Sequence, residues 1–220
     1  QQLWIGTGQG LCIYNQELDN FINVDSIQGN RNFLNNRYIT DLEFDSKGNL
    51  WIGTHEGGVN VYDPVRREFT YLADSTRQGI LPSTNFINTL VNIDDVIWCS
   101  TKGGLLLFDA PSRKKLSSGL LARFSNAQVS AIAAEKSGSI LIATVKGELT
   151  RVIPLNGRFD FQPVLKGTEL GESSNRILTL SIDEKGNILV GGENSGFNWI
   201  EPRTNRVYRI LAEEGNIKRL

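Results

Sequence analysis

One histidine in 220 residues, His55, sets a low ceiling on acid–base and nucleophilic chemistry. A Ser–His–Asp relay needs its imidazole beside a nucleophile and an orienting carboxylate, and nothing in the spacing around His55 selects either. Carboxylates are plentiful, yet no pair stands at a spacing that fixes the geometry of a glycosidase. Two cysteines, Cys12 and Cys99, are too few for a zinc cluster or a disulfide framework. Both lie inside apolar runs of different repeats, so they read as small buried hydrophobes left unpaired. A phosphate-cradling Gly loop needs a strand-to-helix context that an all-β chain lacks. No catalytic residue, metal site or cofactor is therefore expected. Binding is the chemistry the residues do allow. His55, Glu56, Lys102, Lys146, Glu193 and Asn194 follow the same element in successive repeats, and Arg31, Arg37, Arg77 and Arg176 lie in or beside the long connections. Mixed charge, amides and a few exposed rings suit a sugar or an acidic sugar, although each residue taken singly also looks like a solvated loop.

What must position these residues is a unit repeated about five times. Leu3-Trp4-Ile5-Gly6-Thr7, Leu50-Trp51-Ile52-Gly53-Thr54 and Ile97-Trp98-Cys99-Ser100-Thr101 are spaced by 47 residues, and weaker copies begin at Ile140 and Ile188. Ahead of these runs stands an Ile/Val-x-x-Leu/Ile pattern (Ile39…Leu42, Ile87…Leu90, Val129…Ile132, Ile177…Leu180), and Ile217…Leu220 repeats it at the end. Turn residues separate short apolar runs, which is the pattern of an antiparallel meander. A half-buried strand should alternate apolar and polar residues. Leu50-Trp51-Ile52, Leu105-Leu106-Leu107-Phe108 and Ile140-Leu141-Ile142 are instead apolar throughout, as in strands buried on both faces. The last strand of each unit is more polar, which protects an outer edge. Small sheets stacked face to face with polar outer edges describe an all-β fold, a β-propeller of four-stranded blades. A β-sandwich would not explain the regular spacing. No segment has helical period and length.

The expected organisation is a single propeller region over residues 1–220. It comprises a partial blade at 1–24, whole blades at about 37–72, 86–117, 129–164 and 177–211, and the first strand of a further blade at 216–220. Loops at 25–36, 74–85, 118–128 and 164–175 should share one face with the hairpins that carry the candidate residues. Function concentrates on such loops. The Trp of each unit reads as a packing wedge, and Asp45-x-x-Gly48-Asn49 as a tight turn with Gly in the left-handed region.

At these residues the sequence resembles the two-component regulator propeller repeat. Its unit runs from a first strand through Asp-x-x-Gly-Asn and Leu-Trp-Ile-Gly-Thr to Gly-Gly and a strand ending Tyr-Asp-Pro. Residues 39–64 match it nearly throughout, and the fourth and fifth units match it loosely. The resemblance implies a non-enzymatic, periplasmic ligand-sensing segment of a two-component receptor that recognises a carbohydrate. It also implies partners in the rest of the propeller, in downstream signalling domains and in a homodimer. Family members commonly complete seven blades, so the chain is expected to be an excerpt of a larger propeller, the alternative being a five-bladed ring closed by the strand at 216–220. The absence of any Met agrees with an excised piece. A polysaccharide lyase or hydrolase on a propeller, and a protein-interaction scaffold, are the competing functional readings.

The bulk numbers narrow the partners further. A net charge of −1 gives no electrostatic case for nucleic acid or an anionic membrane, and no run approaches the roughly 18 apolar residues of a membrane span.

Overall fold

The Ile/Val-x-x-Leu/Ile pattern opens the first strand of every four-stranded sheet in the computed structural model of this chain. The structure describes residues 2–24, 32–73, 82–117, 119–155, 158–165, 176–193, 196–202, 204 and 206–210. The expected strand at 216–220 lies outside them. Two compact units divide the chain, Gln1–Ala127 and Gln128–Leu220.

Unit 1 holds a three-stranded sheet, β1 (Trp4–Thr7), β2 (Gly10–Asn15) and β3 (Asn20–Asn23), and two four-stranded sheets. The second sheet is β4 (Ile39–Phe44), β5 (Leu50–Thr54), β6 (Val59–Asp63) and β7 (Glu68–Leu72). The third is β8 (Ile87–Ile93), β9 (Val96–Thr101), β10 (Gly104–Asp109) and β11 (Lys114–Lys115). Unit 2 holds two more, β12 (Val129–Ala134) to β15 (Arg158–Leu165), with β13 (Ile140–Thr144) and β14 (Leu149–Leu155) between, and β16 (Ile177–Ile182) to β19 (Arg206–Ile210), with β17 (Ile188–Gly192) and β18 (Phe197–Glu201) between. Every sheet is an antiparallel meander in chain order, the blade of a β-propeller. Each four-stranded blade shifts register by one residue near the start of its first strand, at Ile39/Asp41, Ile87/Thr89, Val129/Ala131 and Ile177/Thr179.

Why alternation is missing from the central strands is plain in unit 1. All five residues of β5 are buried. Leu50 and Ile52 face Leu11 and Ile13 of the first sheet, whereas Trp51 faces Ile87, Leu90 and Phe108 of the third. Both faces of the strand are core. In unit 2 one cluster joins Ala131, Leu141 and Ala143 to Ile177, Ile188 and Val190. The Gly in the repeated motif is a matter of clearance. A Cβ on Gly53 would lie 2.7 Å from Cγ2 of Ile87, and one on Gly6 would lie 2.5 Å from Cγ2 of Ile39. In both cases the first-strand Ile of the next blade rests on the glycine.

The turn Asp45 to Asn49 does more than reverse the chain. Gly48 takes a φ of 78°, as the sequence predicts. Asp45 Oδ1 accepts the backbone N–H groups of Lys47 (3.0 Å) and Asn49 (2.8 Å). Its Oδ2 accepts Nδ2–H of Asn49 (2.8 Å) and the indole N–H of Trp51 (3.0 Å). Asp183 serves Lys185 and Asn187 in the same way, but Leu189 stands at the Trp position. In the fourth blade Glu135 takes the turn position and binds the Arg151 guanidinium at 2.7 and 2.9 Å.

Two sequence expectations are corrected. Residues 118–128 were expected to form only loop, but a short helix, α1 (Gly119–Arg123), lies within them. It is one turn and a half, too short for any apolar period to register. The fourth strand of the third blade, expected over 114–117, is a strand only at Lys114 and Lys115, although Leu116 still donates its N–H to the Leu107 carbonyl at 2.8 Å. Arg113 there has a φ of 57°, and its guanidinium turns toward the second blade to donate to Thr70 Oγ1 (2.7 Å). Cys12 and Cys99 are free thiols, and only Cys99 is fully buried.

Two half-buried carboxyls, Asp41 and Glu43, stand two residues apart on β4. Asp41 accepts the backbone N–H of Leu90, on the next blade, at 2.7 Å, and that of Leu42 at 2.9 Å. Burial pushes its pKa above the ordinary carboxylate value, and burial together with the Asp41 charge does the same to Glu43. A raised folded-state pKa means that the folded state binds the proton more tightly than the unfolded chain. Its stabilising contribution is full below the ordinary carboxylate pKa of about 4 and is lost as pH rises through the raised value. Chemical unfolding of the Asp41→Asn variant is therefore expected to show a shallower fall in stability from pH 4 upward than the parent chain. Parallel pH curves would refute it.

Candidate functional site

Four blades build their loop face on one repeated hydrogen bond. The residue that follows the second strand donates its N–H to the carbonyl just before the first strand. The pairs are His55 to Tyr38 (3.0 Å), Lys102 to Phe86 (3.3 Å), Val145 to Gln128 (3.0 Å) and Glu193 to Arg176 (3.1 Å). The motif Thr seals the hairpin beside it. Thr54 Oγ1 donates to the carbonyl of Gly58 (2.8 Å) and accepts from Gly57 N–H (3.0 Å), and Thr101 repeats this with Gly104 and Gly103. Gly57 has no room for a side chain, because a Cβ would meet Asn35 Oδ1 at 2.3 Å. That closeness sets residues 35–38 directly against the hairpin. A 3₁₀ turn, Ser83–Asn85, places Phe86 in the same manner, with Asn85 O accepting Gly58 N–H at 3.0 Å.

Backbone pairing of this kind puts side chains in a row. In unit 1 the Tyr38 and His55 rings lie 5.3 Å apart, and His55 meets Phe86 in a T-shaped contact at 5.4 Å. The ammonium of Lys102 sits 4.0 Å over the centre of the Phe86 ring, within cation–π range. Glu56 Oε1 lies 3.6 Å from His55 Nδ1. Tyr38 is the open end of the row, 57% exposed. Of the residues singled out from sequence, His55, Glu56 and Lys102 are thus brought together, and exposed Arg37 adjoins them in the chain.

Unit 2 is different. Arg176 and Glu193 pair with each other at 3.3 Å, and exposed Lys146 stands in the hairpin between β13 and β14. Arg31, Arg77 and Asn194 lie outside the described residues. Sequence reasoning missed Tyr38 and Phe86 because each directly precedes an Ile and reads as the start of a strand. The available signal was positional. An aromatic occupies the residue before the first strand in the second and third blades, where Gln128 and Arg176 stand in the later ones.

The row sets ring faces beside polar side chains. Apolar ring faces offer area, and His55, Glu56 and Lys102 offer directional polar contacts, the usual division of labour in a small-molecule site. Among the described residues no group of three His, Cys, Asp or Glu side chains could hold a metal, and no helix there is long and apolar enough to cross a membrane.

The fold is that of a β-propeller segment, and the solved structures agree on that fold. Residues 32–56, which contain Tyr38, His55 and Glu56, match the two component regulator propeller family, so the second blade is a repeat of that kind. Among solved structures, the extracellular domain of BT4673 from B. thetaiotaomicron, described as a hybrid two component system, superposes with a TM-score of 0.69 at 19% identity. That match covers 90% of this chain and 25% of the other. The extracellular domain of BT3049 from the same organism, described likewise, gives 0.68 at 20% identity over 96% of this chain and 27% of that one. Virginiamycin B lyase from Staphylococcus aureus gives 0.57 at 12% identity, covering 81% and 57%. At such identities the likeness establishes the fold. The chain spans about a quarter of the length of the two extracellular domains. No curated protein matches it by sequence.

Proposed function

We propose that this chain is a ligand-sensing propeller segment from the extracytoplasmic, periplasmic part of a two-component signalling receptor. Its ligand is a carbohydrate, bound without being cleaved. The remaining blades and the downstream signalling domains of the receptor are its partners, with a homodimer as the assembled form. The observation that carries the reading is the Tyr38–His55–Phe86–Lys102 row. An exposed ring beside fixed polar groups fits the apolar face of a sugar and its hydroxyls together. The regulator-type repeat at residues 32–56 supports the receptor context. The extracellular domains of BT4673 and BT3049 share its fold.

Calorimetric titration against an oligosaccharide panel tests this. A bound oligosaccharide at 100 times its dissociation constant should raise stability by about 2.7 kcal/mol. Tyr38→Ala should weaken binding by about tenfold or more, a loss of about 1.4 kcal/mol. The unfolding midpoint should stay nearly unchanged, because the side chain is largely exposed. Failure of every glycan to bind would end the sensing reading, and release of cleaved product would move the chain to the lyase or hydrolase class.

A further inference from the structure

We infer that the row in unit 1 ends in an oxyanion subsite, so that an oligosaccharide stacking on Tyr38 carries, on a neighbouring sugar, a carboxylate or sulfate that Lys102 reads beside His55. This rests on the sensing reading above and narrows its ligand. The argument begins with charge. Each position after a second strand faces the residue before a first strand, and the blades fill these paired positions differently. In the fifth blade the pair is Arg176 and Glu193, an ion pair at 3.3 Å that satisfies itself. In the fourth it is Gln128 and Val145, without charge. In the second, His55 has the Glu56 carboxylate 3.6 Å from Nδ1. Only in the third blade does a cation face a ring, Lys102 over Phe86, with no carboxylate partner among the described residues.

A ring face holds an ammonium in place without neutralising it. Lys102 is therefore positioned in advance, which reduces the ordering cost when an anion arrives, and its three N–H donors suit an oxyanion as a point charge. The rings supply the rest of the subsite. Tyr38, His55 and Phe86 make a continuous apolar wall that leads from the exposed Tyr38 ring to the Lys102 ammonium. Gly8 of the first blade lies beside the Tyr38 ring, where a Cβ would make ordinary contact at 3.7 Å, and the Tyr38 residue remains 57% exposed. An oligosaccharide with one ring seated on Tyr38 thus has that ring's apolar face covered, and the row runs on through His55 and Phe86 in steps of 5.3, 5.4 and 4.0 Å, so the acidic group that meets Lys102 belongs to a neighbouring sugar of the same oligosaccharide. Phe86 is the positioning residue, since it touches both His55 and Lys102.

The test titrates the 220-residue chain with three trisaccharides of galactose, one neutral, one of galacturonic acid and one sulfated. Either acidic probe should bind about tenfold tighter than the neutral one, and added salt should erode the advantage. The probe that gains identifies carboxylate or sulfate as the source of the charge. Lys102→Gln, an exposed change that leaves the hairpin backbone intact, should bring acidic and neutral affinities, both measured in the variant, within about twofold of each other. Equal affinities in the parent chain, or an acidic preference that survives in Lys102→Gln, would overturn the subsite and leave carbohydrate sensing standing. Failure of these probes and of a broad neutral panel alike would remove the sensing reading with it.

Discussion

Asp45→Ala is expected to lower the stability of unit 1 by about 3–5 kcal/mol, because it leaves two buried side-chain donors without an acceptor at about 1–3 kcal/mol each and loosens the turn as well. The side chain is 7% exposed and Trp51 is 0% exposed. Four N–H groups converge on the carboxylate, from the backbone of Lys47 and Asn49, the amide of Asn49 and the indole of Trp51. Hydrogen bonds to a charged group contribute about 1.5–3 kcal/mol each, and members of one network do not add. Taken singly the four would sum to about 6–12 kcal/mol, and because they share one acceptor the expected loss is well below that sum. Removing the carboxylate leaves the indole and amide donors buried without an acceptor, and the loss falls on the core as well as the turn. Urea unfolding, monitored by circular dichroism, measures it directly, with the slope against denaturant unchanged. Asp183→Ala is the internal control. Asp183 binds the same turn groups but has no indole to hold, because Leu189 stands there, so its midpoint should move less. A loss below about 1 kcal/mol in Asp45→Ala would show that the turn needs no carboxylate.

How far the fold could be read in advance follows from what kind of information each feature carries. Strand order and blade spacing were legible because Leu50-Trp51-Ile52 and its copies are buried on both faces, and that leaves a periodic trace in the sequence. The Asp45-x-x-Gly48-Asn49 turn was legible as a turn, since Gly48 marks a positive φ. Its bond to Trp51 was not, because a link between a turn and the following strand leaves no period. The same limit hid α1, a single short turn of helix, and the shortness of β11, which follows Arg113, whose guanidinium reaches Thr70 on another blade.

The candidate site divides in the same way. His55, Glu56 and Lys102 were visible as the residues that vary after a constant motif. Tyr38 and Phe86 were assigned to strands, although it is their rings that join His55 to Lys102. What connects them is a backbone bond between segments 16 or 17 residues apart, as in Lys102 to Phe86 and His55 to Tyr38. A hydropathy pattern carries no record of such a bond. Once the bond is seen to recur in four blades, the contents of the paired positions become readable. They separate a ring-and-cation site in unit 1 from a self-neutralised ion pair in unit 2.

Trp51→Ala should cost about 3–5 kcal/mol, the range for truncating a buried large aromatic. Its ring is enclosed by Val59, Val61, Ile87, Leu90 and Phe108, with the Phe108 ring 6.0 Å away. That number mixes two losses, and substitutions already present in the chain show how to separate them. Leu141 fills the Trp position in the fourth blade, where Arg151, paired with it across the strands, gives the turn carboxylate Glu135 its donor. The apolar volume and the N–H are therefore distinct requirements, met there by two residues and in the second blade by one. Trp51→Phe keeps much of the volume and removes the donor, so it should cost about 1–3 kcal/mol, the penalty of a lost bond to a buried charge. Combined with Asp45→Ala, Trp51→Phe should add far less than it costs alone, with a coupling of about 1–2 kcal/mol in a double-mutant cycle. If Trp51→Phe costs nothing, the indole N–H is dispensable and the Trp is a wedge alone. If it costs as much as Trp51→Ala, the packing contributes little and the Asp45 bond accounts for the Trp.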